Sequence, residues 1–331
     1  MTAVVLAVDG GNSKTDVVIV AENGELLARF RGPTVSHQVI GARAGAERLA
    51  ELVKRAAAGK GAARPKIGVY CLAGADFPSD IRLIKRELKR VSLADDETVM
   101  NDTFAALRAG ATKGWGVVLI CGQGINAAAI GPTGRIARFA GIGDLSGDWG
   151  GGGGLGEAAL AAAIRARDGR GARTSLEQAV PAHFGRKTAE QVMLDMYEGR
   201  TPTHRRNELA PAVFREAKAG DAVARSLLDR LADELAVWAT ALIRRLKVSG
   251  EDVDVVLAGG VFNATDPDFY ARLTQGIVSV APHARLVRPR VPPVGGAALL
   301  ALDRLSTTGT ASPKVAERLR KSFESMEAKA P

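Results

Sequence analysis

The sequence predicts an α/β protein made of two domains that share one order of elements. Its 331 residues are enough for two hydrophobic cores, since 46% are hydrophobic and 24% are charged. The chain opens with three short β-rich runs joined by turns, after which helical and β-rich runs alternate. The same pattern starts again near Gly116. This repeat predicts two mixed sheets, each covered by its own helices.

The first half is predicted to begin with an antiparallel meander. Its strands are Val4–Val8, Asp16–Val20 and Glu25–Arg31, and Asn23-Gly24 is a turn signal between the last two. Helices and strands then alternate, with Ser79 as the expected N-cap of the second helix: Ala42–Ala58, Lys66–Leu72, Ser79–Val91, Thr98–Met100 and Asp102–Ala109.

The second half repeats this order and adds several helices. The predicted strands are Gly116–Cys121, Asn126–Ile130, Arg135–Ala140 and Asp254–Ala258. The predicted helices are Leu155–Arg167, Ser175–Phe184, Thr188–Tyr197, Asp221–Leu246, Phe269–Val280 and one from Gly295. We expect domains at 1–114 and 115–294, with the helix 295–306 completing the first. The polar residues 307–331 predict a peripheral or mobile tail.

Charge and cysteine usage exclude several classes of function. The formal net charge is +9, but the basic residues are spread over several helices without interleaved aromatics, so no nucleic-acid partner is expected. The excess positive charge can attract anionic ligands.

No stretch is apolar enough to cross a membrane and no signal sequence is evident, which predicts a cytoplasmic protein. We also expect a homodimer. Cys71 and Cys121 lie in apolar runs, as buried thiols do, and no cysteine cluster indicates zinc or iron–sulfur.

A Gly-rich loop between the first two strands is the first candidate site. It contains an acid, two glycines, side-chain donors and a lysine: Asp9, Gly10, Gly11, Asn12, Ser13, Lys14 and Thr15. Glycines allow backbone N–H groups to approach a phosphate closely, and an acid at a strand end can hold Mg²⁺ through water. A plain hairpin is the alternative, although it does not need this combination of residues.

Two further glycine segments occur in the second half. Gly122-Gln123-Gly124 follows the strand equivalent to the first one, so the two loops are predicted to face each other across an interdomain cleft and to clamp a triphosphate. Gly259-Gly260 ends a buried strand, where a flat ring can lie against backbone. A simple helix-entry turn is the alternative for Gly259-Gly260.

Two acids complete the candidate site. Asp102 follows Asn101 at a strand end and opens a helix, so it could be a functional acid, an N-cap, or both. Asp148 lies in a Gly-rich segment that continues through Gly150–Gly154. We interpret that segment as a flexible loop that approaches a ligand closely, with a hinge or linker as the alternative.

Taken together and in this order, the motifs resemble the actin/hexokinase/Hsp70 ATPase superfamily, and more narrowly the N-acetylglucosamine kinase and BadF/BadG-type ATPase family. The resemblance covers about residues 3 to 305. It implies two ribonuclease H-like domains with an interdomain nucleotide cleft. The implied activity is ATP- and Mg²⁺-dependent phosphorylation of a hexose or amino sugar: N-acetylglucosamine, glucosamine or a related sugar.

The resemblance also implies residue roles. Asp9 to Thr15 would bind Mg²⁺ and the β- and γ-phosphates, Gly122 to Gly124 would form the second phosphate loop, and Gly259-Gly260 would lie against adenosine. Asp102 would be the general base on a sugar hydroxyl. The residues that would line the sugar pocket are Ser36, His37, Asn101, Asn126 and Asp148.

This chain departs from the family pattern at four positions. Gln123 and Ile125 stand where the amino-sugar kinases usually carry Thr and Ser, Ile142 stands in place of a Trp, and Trp149 in place of an acid. The zinc-binding cysteines of the ROK sugar kinases are absent from the sequence. These departures bear on which sugar is the substrate.

Three alternatives remain open at this point. A BadF/BadG-type ATPase could have a non-sugar or regulatory role, or could drive electron transfer through a cysteine-ligated iron–sulfur cluster, although Cys71 and Cys121 lie in predicted strands. The protein could also be a sugar sensor or an actin-like assembly protein. The presence of Asp102 disfavours a sensor, and the lack of large inserts gives no support to filaments.

Overall fold

The computed structural model describes residues 3–58 and 63–327. Ten strands in these residues form two five-stranded sheets. The strands are β1 Val4–Gly10, β2 Lys14–Ala21, β3 Leu26–Pro33, β4 Ile67–Leu72, β5 Asp96–Asn101, β6 Gly116–Cys121, β7 Ile125–Ile130, β8 Ile136–Arg138, β9 Asp254–Ala258 and β10 Arg285–Val287.

The α-helices flank these strands in the sequence. They are α1 His37–Ile40, α2 Ala42–Ala57, α3 Pro78–Val91, α4 Thr103–Gly110, α5 Gly151–Arg167, α6 Leu176–His183, α7 Ala189–Tyr197, α8 Ala210–Lys218, α9 Ala222–Leu246, α10 Pro267–Val278, α11 Pro293–Leu305 and α12 Pro313–Glu327. Short 3₁₀ helices occur at Gly143–Ser146, Thr203–Leu209 and Gly260–Asn263. Sequence patterns had not predicted α1, α8 or β10, and α1 and β10 are too short to show a period.

The two sheets have the same topology, which confirms the predicted repeat. Their strand orders are β3-β2-β1-β4-β5 and β10-β9-β6-β7-β8, so in each the third, second, first, fourth and fifth strands of the half lie side by side. In the first sheet β1 is antiparallel to β2 and parallel to β4, and β4 is parallel to β5. The carboxyl ends of β1, β4 and β5 therefore meet at one edge, where Gly10 pairs with Leu72 and Leu72 with Asn101.

The chain divides into two compact units. One contains Met1–Val118, Ala128–Arg135 and Val287–Pro331, and the other contains Leu119–Ala127 and Ile136–Leu286. In the first unit α11 packs so closely on α4 that a Cβ at Gly296 would collide with the carbonyl oxygen of Ala105. The sequence boundaries at 114 and 294 stay predictions.

The segment after Ser306 is packed, although its polar composition predicted a peripheral or mobile tail. Helix α12 places Ala316, Leu319 and Phe323 at helical spacing, and these side chains are buried in the core of the first unit. Arg318 on the outer side is 2.7 Å from Glu25. The apolar stripe is only three residues wide, so average composition does not reveal it.

Two other expectations concern helix starts and the thiols. Helix α3 begins at Pro78, and Ser79 is not its N-cap, because the backbone N–H of Phe77 donates to Asp80 Oδ2 at 2.9 Å.

Cys71 in β4 and Cys121 in β6 are free and buried, as predicted. Burial raises the pKa of the Cys121 thiol to about 12, and that of Cys71 also lies well above its usual value. No helix in the described residues has the length and apolar character to cross a bilayer.

Candidate active site

The first Gly loop is the turn between β1 and β2. Its two glycines serve different purposes, because a Cβ at Gly10 would lie 2.6 Å from Leu72 Cδ2 whereas one at Gly11 would meet only Lys14 O, at 3.6 Å. Packing therefore explains Gly10, while the space at Gly11 is open to a ligand. Asn12, Ser13 and Lys14 are exposed. Thr15 is fully buried and its Oγ1 accepts from Val35 N, which makes it a structural residue of the loop.

Asp9 is the titratable group of this loop that departs most from ordinary behaviour. Burial first, and then the carboxylates of Asp102 and Asp16, raise its pKa to about 7 against the opposing effect of Lys14 and Arg31. Arg31 already holds Asp16 in two hydrogen bonds, of 2.8 and 3.0 Å. Asp9 thus lies in an environment that favours a bound cation.

A single carboxylate at Asp9 suits Mg²⁺ better than a cation that takes all of its ligands from the protein. No group of three or more His, Cys, Asp or Glu residues that could hold a metal occurs in the described chain. Mg²⁺ usually keeps several waters and takes one or two carboxylates together with substrate phosphates. Asp9 beside an open phosphate loop fits that pattern.

The side chain of Asn101, and not that of Asp102, makes the hydrogen bonds at the start of α4. Asn101 Oδ1 accepts from Thr103 N at 3.1 Å and from Thr103 Oγ1 at 2.6 Å, and Asn101 Nδ2 donates to Asp76 Oδ1 at 2.9 Å. Asp102 makes no side-chain capping hydrogen bond to α4. Asp102 therefore occupies the N-cap position of α4 without a side-chain cap, and Asn101 supplies the hydrogen bond to the first helical N–H.

The resemblance implied that Asn101 contacts the sugar, whereas the structure shows it buried and hydrogen-bonded to its neighbours. It is 3% exposed, and its amide oxygen is occupied by the helix. Its partner Asp76 follows β4 and was not singled out from the sequence, since no motif marks it. Asp76 thus adds a carboxylate beside the Asn101-Asp102 pair.

The segment after β3 contains two buried polar atoms without partners. Ser36 is 1% exposed, and neither its Oγ nor His37 Nδ1 has a hydrogen-bond partner within the described chain. His37 Nε2 is 3.9 Å from Asp80 Oδ1. Buried polar atoms are normally satisfied, so the two unpaired atoms mark this segment as a candidate for a further polar contact. The sugar contact at Ser36 and His37 stays a prediction.

The glycine run Gly151–Gly154 is a packing device, which corrects the prediction of a flexible loop. Gly151–Gly154 form the first turn of α5, where Gly152 N and Gly153 N donate to Gly122 O and Gln123 O, each at 2.8 Å. A Cβ at Gly151 would lie 2.6 Å from Gly124 Cα. The run therefore brings α5 against the second Gly loop. Gly122 and Gly124 themselves face open space.

Two cavities in the second unit meet at that loop. The Phe214 cavity has a volume of about 700 Å³ and its wall includes Gly122, Gln123, Pro211, Phe214, Gly260 and Val261. The Trp149 cavity has a volume of about 740 Å³ and its wall includes Gln123, Gly124, Asp148, Trp149, Arg165 and Arg230. Gln123 lines both. Phe214 and Pro211, on α8, were missed because no sequence motif marks them.

The two glycines after β9 have different roles, as the two glycines of the first loop do. Gly259 has φ +104°, and a Cβ there would collide with backbone atoms of Cys121, so packing explains it. Gly260 has no neighbour in the way and lines the Phe214 cavity. The helix-entry alternative thus accounts for Gly259, whereas Gly260 is placed to meet a ligand.

Asp148 organises its own loop and faces the Trp149 cavity. Its Oδ2 accepts from Gly143 N at 2.9 Å and from Ser146 Oγ at 2.5 Å. Because Oδ2 is used in this way, Oδ1 is the oxygen left for a ligand. Asn126 is half-buried beside Gly141 and its Oδ1 accepts from Ala127 N at 2.8 Å.

Three known proteins that resemble this chain all have N-acetylglucosamine kinase in their names. The chain is 30% identical over 315 residues to N-acetyl-D-glucosamine kinase of Dictyostelium discoideum, covering 90% of this chain and 97% of the relative. It is 29% identical over 263 residues to N-acetylmuramic acid/N-acetylglucosamine kinase of Clostridium acetobutylicum, covering 78% and 85%. A crystal structure of a protein from Chromobacterium violaceum, proposed to be an N-acetylglucosamine kinase, matches with a TM-score of 0.65 at 25% identity, covering 90% and 98%.

The family match extends over nearly the whole chain. The model of the BadF/BadG/BcrA/BcrD ATPase family matches residues 6–301, which include both Gly loops, Asp102, Asp148 and Gly260. The match also agrees with the two sheets of equal topology. The chain therefore belongs to the BadF/BadG/BcrA/BcrD ATPase family.

Proposed function

We propose that the protein is an ATP-dependent sugar kinase that transfers the γ-phosphoryl group to a hydroxyl of N-acetylglucosamine or a related amino sugar. The observation that carries the proposal is the carboxylate of Asp102, which does not cap its helix and lies near enough to Asp9 to raise the pKa of that residue. The relatives named above support the choice of an amino sugar.

The residues divide the work as phosphoryl transfer requires, mainly positioning and charge compensation. The open glycines Gly11, Gly122 and Gly124 let backbone N–H groups reach phosphate oxygens, and the apolar Phe214 cavity suits adenosine. Asp9 would hold Mg²⁺ through water, and the ion would supply positive charge to the phosphates. Asp102 accepts the proton of the attacking sugar hydroxyl.

Each unit offers candidate polar atoms for a sugar. In the second unit, Oδ1 of Asp148 can accept from a sugar hydroxyl. In the first unit, the candidates are the unpaired Ser36 Oγ and His37 Nδ1. A homodimer and a cytoplasmic location stay predictions from the sequence.

A screen of ADP release across hexoses, amino sugars and N-acetylated amino sugars tests the proposed function. We expect ADP release to depend on sugar and to be fastest with an N-acetylated amino sugar. ATP hydrolysis that no sugar accelerates would contradict the kinase proposal and favour the non-sugar ATPase of the same family.

Replacing Gly11 with Val should abolish Mg²⁺-ATP binding while the fold remains intact. The new Cβ has room, since its nearest neighbour would be Lys14 O at 3.6 Å, so only the approach of phosphate to backbone is blocked. Isothermal calorimetry measures the affinity. Gly250→Val is a matched control in open space outside both cavities. Unchanged ATP affinity in Gly11→Val would show that this loop does not bind phosphate.

Replacing Asp148 with Ala should raise the KM for sugar much more than the KM for ATP. The substitution removes Oδ1 and also releases Gly143 N and Ser146 Oγ from the loop. Steady-state kinetics with each substrate varied in turn measures both constants. Equal increases in the two KM values would mean that Asp148 does not recognise the sugar.

A further inference from the structure

The Trp149 cavity is larger than a ring bound at Asp148 needs. Its wall on α5 runs from Gly154 to Arg165, a distance of about 16 Å at the helical rise of about 1.5 Å per residue. The volume of about 740 Å³ lies within the range of about 300–1,000 Å³ that holds ligands of drug size. Beyond the ring hydroxyls, the cavity leaves space for a substituent on the sugar.

The charged walls of this space are supplied by different elements. Asp144 and Asp148 belong to the loop, whereas Arg165 and Arg230 belong to α5 and α9. The remaining acid, Glu157, has Oε2 3.4 Å from Nη1 of Arg206, which offsets its charge. The helical walls therefore present two guanidinium groups to the cavity.

Arg230 is held in an orientation suited to an anion. Its guanidinium carbon lies 3.7 Å from the centre of the Trp149 ring. Stacking uses the face of the guanidinium group and leaves its in-plane N–H donors free for a planar carboxylate. No carboxylate of the described residues forms an ion pair or hydrogen bond with Arg230. The nearby Asp148 instead has its Oδ2 occupied by its own loop.

Trp149 adds no negative charge to the cavity and supplies the ring on which Arg230 lies. Both effects favour an anionic group over a neutral one.

We propose that Arg230, stacked on Trp149, forms a subsite for a carboxylate-bearing substituent on the amino-sugar substrate. This inference rests on the proposed sugar kinase activity. Arg230 is a specificity-determining residue: it does not touch the transferred phosphoryl group, and it pairs in the plane of its guanidinium group with the substrate carboxylate.

Three sugars and two arginine variants test the subsite. N-acetylmuramic acid carries a lactyl carboxylate, its methyl ester has the same shape without the charge, and N-acetylglucosamine lacks the substituent. We expect wild-type kcat/KM to be about tenfold higher for the acid than for the ester, the size of a partly exposed charge-assisted contact. Arg230→Gln should bring this ratio to about one, and Arg244→Gln, an exposed arginine on the same helix, should preserve it.

The tryptophan has its own pair of variants. Trp149→Phe keeps an aromatic face under Arg230 and should retain the preference for the acid. Trp149→Glu introduces a negative charge beside Arg230 and should reverse the preference. Equal turnover of acid and ester by the wild type would overturn the subsite, as would Arg230→Gln slowing all three sugars by the same factor.

Calorimetry separates failure of the subsite from failure of the kinase proposal. If no sugar accelerates ADP release, the kinase proposal fails, and binding of N-acetylmuramic acid to the wild type and to Arg230→Gln still decides the subsite. Tighter binding by the wild type than by the variant supports it, and equal binding overturns it.

Discussion

Asp102→Asn should lower the rate of sugar phosphorylation by about 10²–10⁴-fold, the usual effect of losing a general base. Asparagine keeps the shape of the side chain but cannot accept the proton of the sugar hydroxyl. The fold should survive because Asn101, not Asp102, holds the first N–H of α4. Single-turnover kinetics measures the rate, and calorimetry and thermal melting should show unchanged ATP affinity and Tm.

Asp96→Asn is the matched control for this substitution. Asp96 is exposed at the start of the strand that ends just before Asp102, where it pairs with Arg304. Its replacement should leave turnover unchanged. Near-normal turnover in Asp102→Asn would reject the base assignment, and loss of folding would show that Asp102 is mainly structural.

Asp9→Asn should stabilise the nucleotide-free protein at pH 8 and at the same time abolish kinase activity. The pKa of Asp9 is about 7 in the fold, against 3.8 as the usual value. Between these values the folded state holds a proton that the unfolded state has lost, so the free energy of unfolding falls as pH rises from about 4 to 7. Asparagine has no charge to bury, and we expect a gain of about 1–3 kcal/mol at pH 8.

Urea unfolding at pH 4, 6 and 8 measures this difference between wild type and variant, which should shrink towards pH 4. Asp16→Asn is the contrasting control, because Asp16 is held by two hydrogen bonds from Arg31 and its loss should destabilise the protein. An Asp9→Asn variant less stable than the wild type at pH 8 would contradict the raised pKa. Retained Mg²⁺-dependent turnover would remove Asp9 from the site.

Secondary structure was predictable where apolar periodicity and turn signals agree. The meander of β1, β2 and β3, the long helix α9 and the restart at β6 all follow from such patterns. The start of α5 does not. Glycine has low helix propensity, so Gly151–Gly154 predicted a loop. Tertiary contact with the second Gly loop reversed that preference, because only glycines leave room for the approaching backbone.

The candidate site shows the same division between sequence and structure. Order and spacing of short motifs indicated Asp9, Gly11, Asp102 and Asp148, because a phosphate loop and a carboxylate at a strand end need particular residue types next to each other in the chain. Sequence could not show that Asn101 rather than Asp102 caps α4, since both residue types are good N-caps.

The sequence by itself determined the repeated α/β architecture, the glycine loops and the acids, since each depends on residues adjacent in the chain. Only the tertiary structure decided which glycines are open to a ligand, that Asp76 orients Asn101, and that Arg230 lies over Trp149. The physical reason is that these pairs are brought together by packing between elements that are 25 residues or more apart in the sequence. No local periodicity encodes a contact of that kind.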